Sequence, residues 1–188
     1  MAQGRLVGWY ADNTDGPGFI TDLRACGIDP GARRVALIGA GGAAAGILAT
    51  LLGTAPDAVE LFNRTEGTAA DLADRHAGLG PVRARPLEAL DGAGRFDLVI
   101  NATSAGHGGE RAPLVAENFA DGGACYDLNY GAAAAPLRDW CRERGLAYHD
   151  GLGMLVRQAA ESFRLWTGYG PLAAPVVDTL RREVAVEG

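Results

Sequence analysis

A chain of 188 residues, unusually rich in Gly and Ala but otherwise of ordinary composition, is long enough to bury a sizeable core as one domain with at most an appendage. Its net charge of -6 argues against a general nucleic-acid binder and leaves small-molecule chemistry as the class to expect. All 17 basic residues are arginine, and the chain contains no lysine.

In chain order, Leu6 and Val7 read as the end of a strand, and Gly18 to Cys26 as a helix with Phe19, Ile20 and Leu23 on one face and Gly27 as its stop. From Arg33 onward, short aliphatic runs alternate with Ala-rich helical stretches, the signature of right-handed βαβ units around a parallel sheet. The predicted strands are Val35–Ile38, Ala58–Phe62, Val82–Arg85, Leu98–Ile100, Ala124–Asp127 and Ala147–His149. Helices are expected at Gly42–Leu52, Thr65–Ala77, Pro86–Leu90, Pro136–Arg144, Leu152–Thr167 and Leu172–Val186. This pattern is an α/β fold, a doubly wound parallel sheet of about six strands in the order 3-2-1-4-5-6, with flanking terminal helices. Both ends of the chain are expected to offer apolar faces to something else.

Cys26, Cys125 and Cys141 lie far apart with no C-x-x-C pair, so neither a metal site nor a disulfide framework is expected. The start has no signal-peptide pattern and no 18-residue uncharged apolar run occurs, so the expectation is a cytoplasmic protein with no membrane partner. His76, His107 and His149 are scattered and read as surface or packing residues.

Three segments carry chemistry. After the first core strand comes Gly39-Ala40-Gly41-Gly42-Ala43-Ala44, a Rossmann phosphate turn: Gly39 makes the tight turn, Gly41 lets backbone approach a pyrophosphate, and the next helix offers free N–H groups and a positive dipole end. At the end of the second strand stands Asn63-Arg64-Thr65, where an acidic residue would favour NAD; the forked donors of an arginine suit a 2′-phosphate, so NADP is expected. Thr65 also reads as the cap of the next helix. Asn101-Ala102-Thr103-Ser104-Ala105-Gly106 follows the fourth strand, at the topological switch point, with small residues that leave room for a ribose or nicotinamide.

These runs, with Asn13-Thr14-Asp15-Gly16, Tyr126-Asp127-Leu128-Asn129-Tyr130 and Asp150-Gly151-Leu152-Gly153-Met154-Leu155-Val156 followed by Gln158, resemble the shikimate dehydrogenase family along nearly the whole chain. The resemblance implies NADPH-dependent reduction of 3-dehydroshikimate to shikimate, toward chorismate and the aromatic amino acids. It implies that Asp15 is the acidic half of a catalytic lysine–aspartate pair and a substrate contact, that Tyr130 and Gln158 bind substrate hydroxyls, and that Leu128, Gly151 and Met154 line the nicotinamide. Cofactor contacts carried over are Gly39, Ala40, Gly41, Gly42, Ala43, Asn63, Arg64, Thr65, Asn101, Ala102, Thr103 and Ser104. Taken singly, Asp15 reads as a turn or cap residue, Tyr130 as a half-buried aromatic, Met154 as core filler and Gln158 as a solvated helix residue.

The chain departs from the family in two ways. Family members begin with a substrate domain bearing a Ser-x-Ser carboxylate clamp and the catalytic lysine, and no lysine occurs here. Thr68 stands where a second basic residue often completes the phosphate clamp. The expected organisation is a connecting segment at residues 1–32, an NADP-binding domain at 33–153, and helices at 154–188 that pack toward a missing or separate substrate domain. Truncation leaves the chain expected to be inactive alone. A homodimer is allowed. The competing readings are a stand-alone NADP-binding module, a quinate/shikimate dehydrogenase-like relative, and the cofactor domain of glutamyl-tRNA reductase, which the Tyr126–Tyr130 and Gly151–Gln158 motifs disfavour.

Overall fold

Strands that read as unbroken aliphatic runs must be covered on both faces. In the structure, a computed structural model describing residues 11–186, they are. The elements are α1 (Asp15–Ala25), β1 (Arg34–Ile38), α2 (Gly42–Leu52), β2 (Ala58–Asn63), α3 (Glu66–His76), β3 (Val82–Pro86), β4 (Phe96–Asn101), β5 (Phe119–Asp127), α4 (Ala135–Glu143), β6 (Ala147–His149), α5 (Leu152–Thr167) and α6 (Ala173–Val186). All strand pairs are parallel, in the expected order β3-β2-β1-β4-β5-β6. Side chains alternate across the sheet. Val35, Leu37, Val59, Leu61, Leu98, Ile100 and Tyr126 meet Phe19 and Leu23 of α1, Ile47 and Leu51 of α2 and Leu72 of α3. On the other face Ala36, Ile38, Phe62, Val99 and Cys125 pack on Leu137, Trp140 and Cys141 of α4.

The strand boundaries differ from the expectation mainly in β5, which begins at Phe119 and shifts register opposite Phe96 and Leu98. The helix expected at Pro86–Leu90 is a single 3-10 turn, Leu87–Leu90. Pro86 is extended, with φ -63° and ψ 148°, and ends β3; Gly92, at φ +80°, lies just beyond Asp91. Helix α1 starts three residues earlier than expected because Pro17 falls in its first turn, where its missing N–H is harmless. Leu6 and Val7 lie outside the described residues.

Glu60 is the exception on the second face. It is buried in β2 and paired with Arg34, Arg83 and Arg85 at 2.8, 3.0 and 2.8 Å. Burial alone would raise its carboxyl; the hydrogen bonds from Arg85, Arg34 and Arg83 outweigh burial and hold it below the ordinary value.

Contrary to the expectation of an apolar N-terminal face, α1 is covered. Phe19 and Leu23 are fully buried, and Phe19 meets Tyr126 edge-on at 5.2 Å between ring centroids. Helix α1 crosses α5 at Gly18, where a Cβ would stand 2.6, 2.7 and 2.8 Å from the backbone N, Cβ and Cα of Gln158. Buried Asp22 locks the same crossing, accepting from Tyr126 Oη at 2.6 Å and pairing with Arg157 at 2.9 Å. A Gly18→Ala change would gain about 1 kcal/mol of helix propensity in an isolated helix. Here the obstructing atoms are the backbone N and Cα and the adjoining Cβ of Gln158, which cannot swing aside, and overpacking of this kind costs ~1–3 kcal/mol. The expected result is a net loss of stability, read as a lower urea midpoint at unchanged m-value; an equal or higher midpoint would refute the close crossing.

The C-terminal pair does keep an open apolar face. Phe163, Trp166, Tyr169, Leu172 and Val176 are exposed, Trp166 and Leu172 each by 80%. Leu155, Ala159, Phe163, Tyr169, Leu172 and Val176 line a groove of about 460 Å³ between α5 and α6.

Candidate functional site

Strand order reverses between β1 and β4, whose ends pair Ile38 with Asn101, so the loops that follow diverge and leave a crevice at the carboxyl edge of the sheet. A cavity of about 530 Å³ occupies it. Its walls include Gly39, Ala40 and Gly41 after β1, Asn63 and Arg64 after β2, and Ala102, Thr103 and Ser104 after β4. Eight residues expected to touch a nucleotide therefore converge on one space.

The two glycines of the turn play different parts. Gly39 has φ +100°, and a Cβ there would lie 2.9 Å from the carbonyl oxygen of Ala102 and 3.2 Å from Thr103 Cγ2, so both conformation and packing require glycine. Gly41 has ordinary extended φ and ψ, and a Cβ would meet no atom within 4 Å. Among the described residues nothing requires its bareness, which fits a ligand that comes close to the backbone. Gly41 is also the N-cap of α2 and has no side chain to satisfy the first-turn N–H groups, which an anion could accept.

Arg64 stands exposed at the cavity edge and has no ion pair among the described residues; Asn63 Nδ2 donates to the Thr65 carbonyl at 2.9 Å and shapes the turn. Thr65 occupies the N-cap position of α3 without making a side-chain cap bond. Thr68 is exposed on the first turn of α3 and adds no charge. Gly42 and Ala43 are exposed at the start of α2 but are not cavity walls. Asn101 is buried beneath the loop and holds it from below: its Oδ1 accepts from the N–H and hydroxyl of Thr103 at 3.1 and 2.8 Å.

A second group gathers on the α1 side of α2. Asp15 opens α1, its N–H donating to Asn13 Oδ1 at 2.8 Å, and its carboxylate lies over Gly46 of α2, 2.8 Å from where a Cβ would be. The buried Thr14 hydroxyl donates to Gln158 Oε1 at 3.2 Å and lies 2.9 Å from Ser162 Oγ. Gln158 is thus half-buried and held to α1, with Nε2 donating to the Leu155 carbonyl at 3.1 Å. Tyr130 is 46% exposed just beyond β5. Leu128 and Met154 pack against the main core, and the Gly151 N–H donates to the Asn129 carbonyl at 2.9 Å; none of the three is a wall of the cavity.

Several neighbours escaped the sequence reading. Leu87, Glu110, Arg111, Ala112 and Pro113 also line the cavity. Arg111 donates from Nη1 to the carbonyls of Ala112 and Leu114, both at 2.9 Å, and stacks on Trp140 at 4.8 Å. Leu87 was findable as the residue following a strand end, but nothing in the local pattern marks the 110–113 segment. Buried Asp22 had a signal, since it shares the face of Phe19, Leu23 and Cys26 at helical spacing.

Residues 27–117 match the family described as shikimate / quinate 5-dehydrogenase, and residues 151–181 match the shikimate 5′-dehydrogenase C-terminal domain. A shikimate dehydrogenase (NADP(+)) of Methylococcus capsulatus is 47% identical over 176 residues, covering 93% of this chain and 63% of that protein. One from Chromohalobacter salexigens is 44% identical over 184 residues, 98% of this chain and 67% of the relative. This chain belongs to the shikimate dehydrogenase family. Among solved structures, the shikimate 5-dehydrogenase of Thermus thermophilus in complex with NADP(H) and shikimate matches at TM-score 0.67 and 34% identity, over 90% of this chain and 62% of that one. The chain spans about two thirds of the length of the curated shikimate dehydrogenases it matches. Among the described residues, no helix is long and apolar enough to cross a membrane.

Proposed function

We propose that the chain is the nucleotide-binding part of an NADP-dependent shikimate dehydrogenase that reduces 3-dehydroshikimate to shikimate. The observation that carries this reading is the cavity at the β1–β4 switch point, lined by the side-chain-free Gly41 and by Arg64, which has no ion pair among the described residues. Gly39, Gly41 and the start of α2 would hold the pyrophosphate, Asn63 and Arg64 the adenosine 2′-phosphate, and Ala102 to Ser104 the ribose, with Leu128, Gly151 and Met154 toward the nicotinamide. Bound NADPH supplies the hydride for a carbonyl carbon. Asp15 orients a substrate hydroxyl as an acceptor, and the amide of Gln158 and the hydroxyl of Tyr130 bind further hydroxyls.

A ketone that accepts hydride also needs a proton and a cation beside the forming alkoxide. Arginine, the only basic residue type in the sequence besides histidine, is by its chemistry a poor proton donor. We assign that role to a lysine on a substrate domain, and place the domain against the α5–α6 groove, whose exposed aromatic and aliphatic side chains suit burial by a partner. Residues 1–32 then connect the two parts, 33–153 hold the cofactor, and the cytoplasm is the compartment.

Arg64 tests the cofactor assignment. An Arg64→Gln change removes the charge-assisted bonds to a 2′-phosphate, so the dissociation constant for NADPH should rise ~10- to 100-fold. NADH binding, followed by the same nucleotide fluorescence titration, should change little. Equal losses for both nucleotides would move Arg64 away from the 2′-phosphate, and no binding of either by the parent chain would overturn the reading.

A further inference from the structure

Asp127, at the end of β5, is fully buried and carries no role in the functional reading. Its Oδ1 accepts from Asn101 Nδ2 at 2.9 Å, from the Asn129 backbone N–H at 3.0 Å and from Asn129 Nδ2 at 2.8 Å; its Oδ2 accepts from Tyr148 Oη at 3.2 Å. The first three are obligate donors, so the site calls for an acceptor at that oxygen.

The consequence falls on Asn101. An amide can present either its oxygen or its NH2 to a neighbour, and the Thr103 N–H needs the oxygen. Because Asp127 captures the NH2 end, Asn101 Oδ1 is left facing the N–H and hydroxyl of Thr103. The Thr103 carbonyl is held in turn by Asn129 Nδ2 at 3.0 Å, so the cavity wall is fixed on its N–H, hydroxyl and carbonyl by groups that all trace back to one carboxylate. That wall presses on Gly39, where Ala102 and Thr103 leave no room for a Cβ.

We propose that Asp127 is a positioning residue of the nucleotide cavity: it sets the amide orientation of Asn101 and thereby the Thr103 wall, so that affinity depends on a carboxylate that does not itself line the cavity. This rests on the NADP(H) reading of the cavity. In Asp127→Asn the new Oδ1 keeps the three donors, and the new NH2 can donate to the Tyr148 hydroxyl. In Asp127→Leu the Asn101 NH2 and the Asn129 backbone N–H lose this acceptor, and Asn129 Nδ2 keeps only the Thr103 carbonyl.

NADPH affinity should stay within about threefold of the parent in Asp127→Asn and fall about tenfold or more in Asp127→Leu. Thr103→Val, which deletes the hydroxyl that binds Asn101, should weaken binding in the parent and add little in the Asp127→Leu background. A folded Asp127→Leu chain with parental affinity, or effects of the two substitutions that simply multiply, would overturn the proposal. If Asp127→Leu does not fold, Asn101→Ala takes its place and must show the same loss. The wiring also has a readout without nucleotide: the Thr103 backbone and Asn101 side-chain amide resonances should move in the disrupting variant and hold in Asp127→Asn. Resonances indifferent to the disruption refute the proposal even where no nucleotide binds, whereas shifted resonances in a chain that binds no NADPH would sink only the cofactor reading.

Discussion

A Gly41→Val chain is expected to keep its fold and lose about 100-fold or more of its NADPH affinity, the equivalent of two charge-assisted hydrogen bonds to phosphate. The two halves of that result come from one geometric fact. A Cβ at Gly41 would meet nothing within 4 Å, and the backbone there is in a conformation open to any residue. Replacing Gly by Val at a helix N-cap costs no more than about 1 kcal/mol, which for a chain of this size lowers the melting temperature by only a few degrees. The branched side chain would instead occupy the approach of the pyrophosphate to the first-turn N–H groups of α2. Thermal melting and a fluorescence titration on the same sample check both halves. Unchanged affinity would reduce the turn to a packing device. Gly39 could not serve for this test, since its φ of +100° and its contact with Ala102 would make any side chain a folding defect.

The second large effect is a rate. Given NADPH and 3-dehydroshikimate, the 188-residue chain should bind nucleotide and show no turnover above background. A positioned general acid alone is worth about 10²- to 10⁴-fold, and the contacts that would hold the ketone beside it are not supplied by Asp15, Tyr130 and Gln158 by themselves. Adding a lysine-bearing substrate domain in trans should restore NADPH oxidation, followed by the loss of nicotinamide absorbance. Docking should shift the emission of Trp166, 80% exposed on the α5–α6 face, toward the blue. Turnover by the polypeptide alone would sink the requirement for lysine. Persistent inactivity of a complex shown to assemble would count against the assignment of the missing group to that domain.

Much of the fold was legible because it depends on local signals that add along the chain. Aliphatic runs such as Val35–Ile38 and Leu98–Ile100 are too short for helices and too apolar for edge strands, and each is followed by a small-residue turn. The wall residues Gly39, Gly41, Arg64 and Thr103 were legible for the same reason: a parallel sheet sends every carboxyl end to one edge, so a residue just after a strand is near the crevice. The 110–113 segment was not, because it reaches the cavity through tertiary packing, with Arg111 laid on Trp140 of α4. Asn101 was read as a contact by its place in a motif; its burial and its bond to Asp127 depend on the partner strand, which no local pattern encodes. The helix expected at Pro86–Leu90 shows the reverse failure, where a plausible propensity was overruled by one extended proline.

The crossing of α1 and α5 has a dynamic meaning. Gly18 rests on the backbone of Gln158, the Thr14 hydroxyl reaches Gln158 and Ser162, and Asp22 pairs with Arg157 four residues along the same face of α1. Parting the helices would open a backbone contact and strand a buried charge in the same event, so neither helix can fray from the other by degrees. In the language of local unfolding they form one cooperative unit. Thermal motion that would change the spacing between the backbones at Asp15 and Gln158 must therefore break contacts along the whole seam.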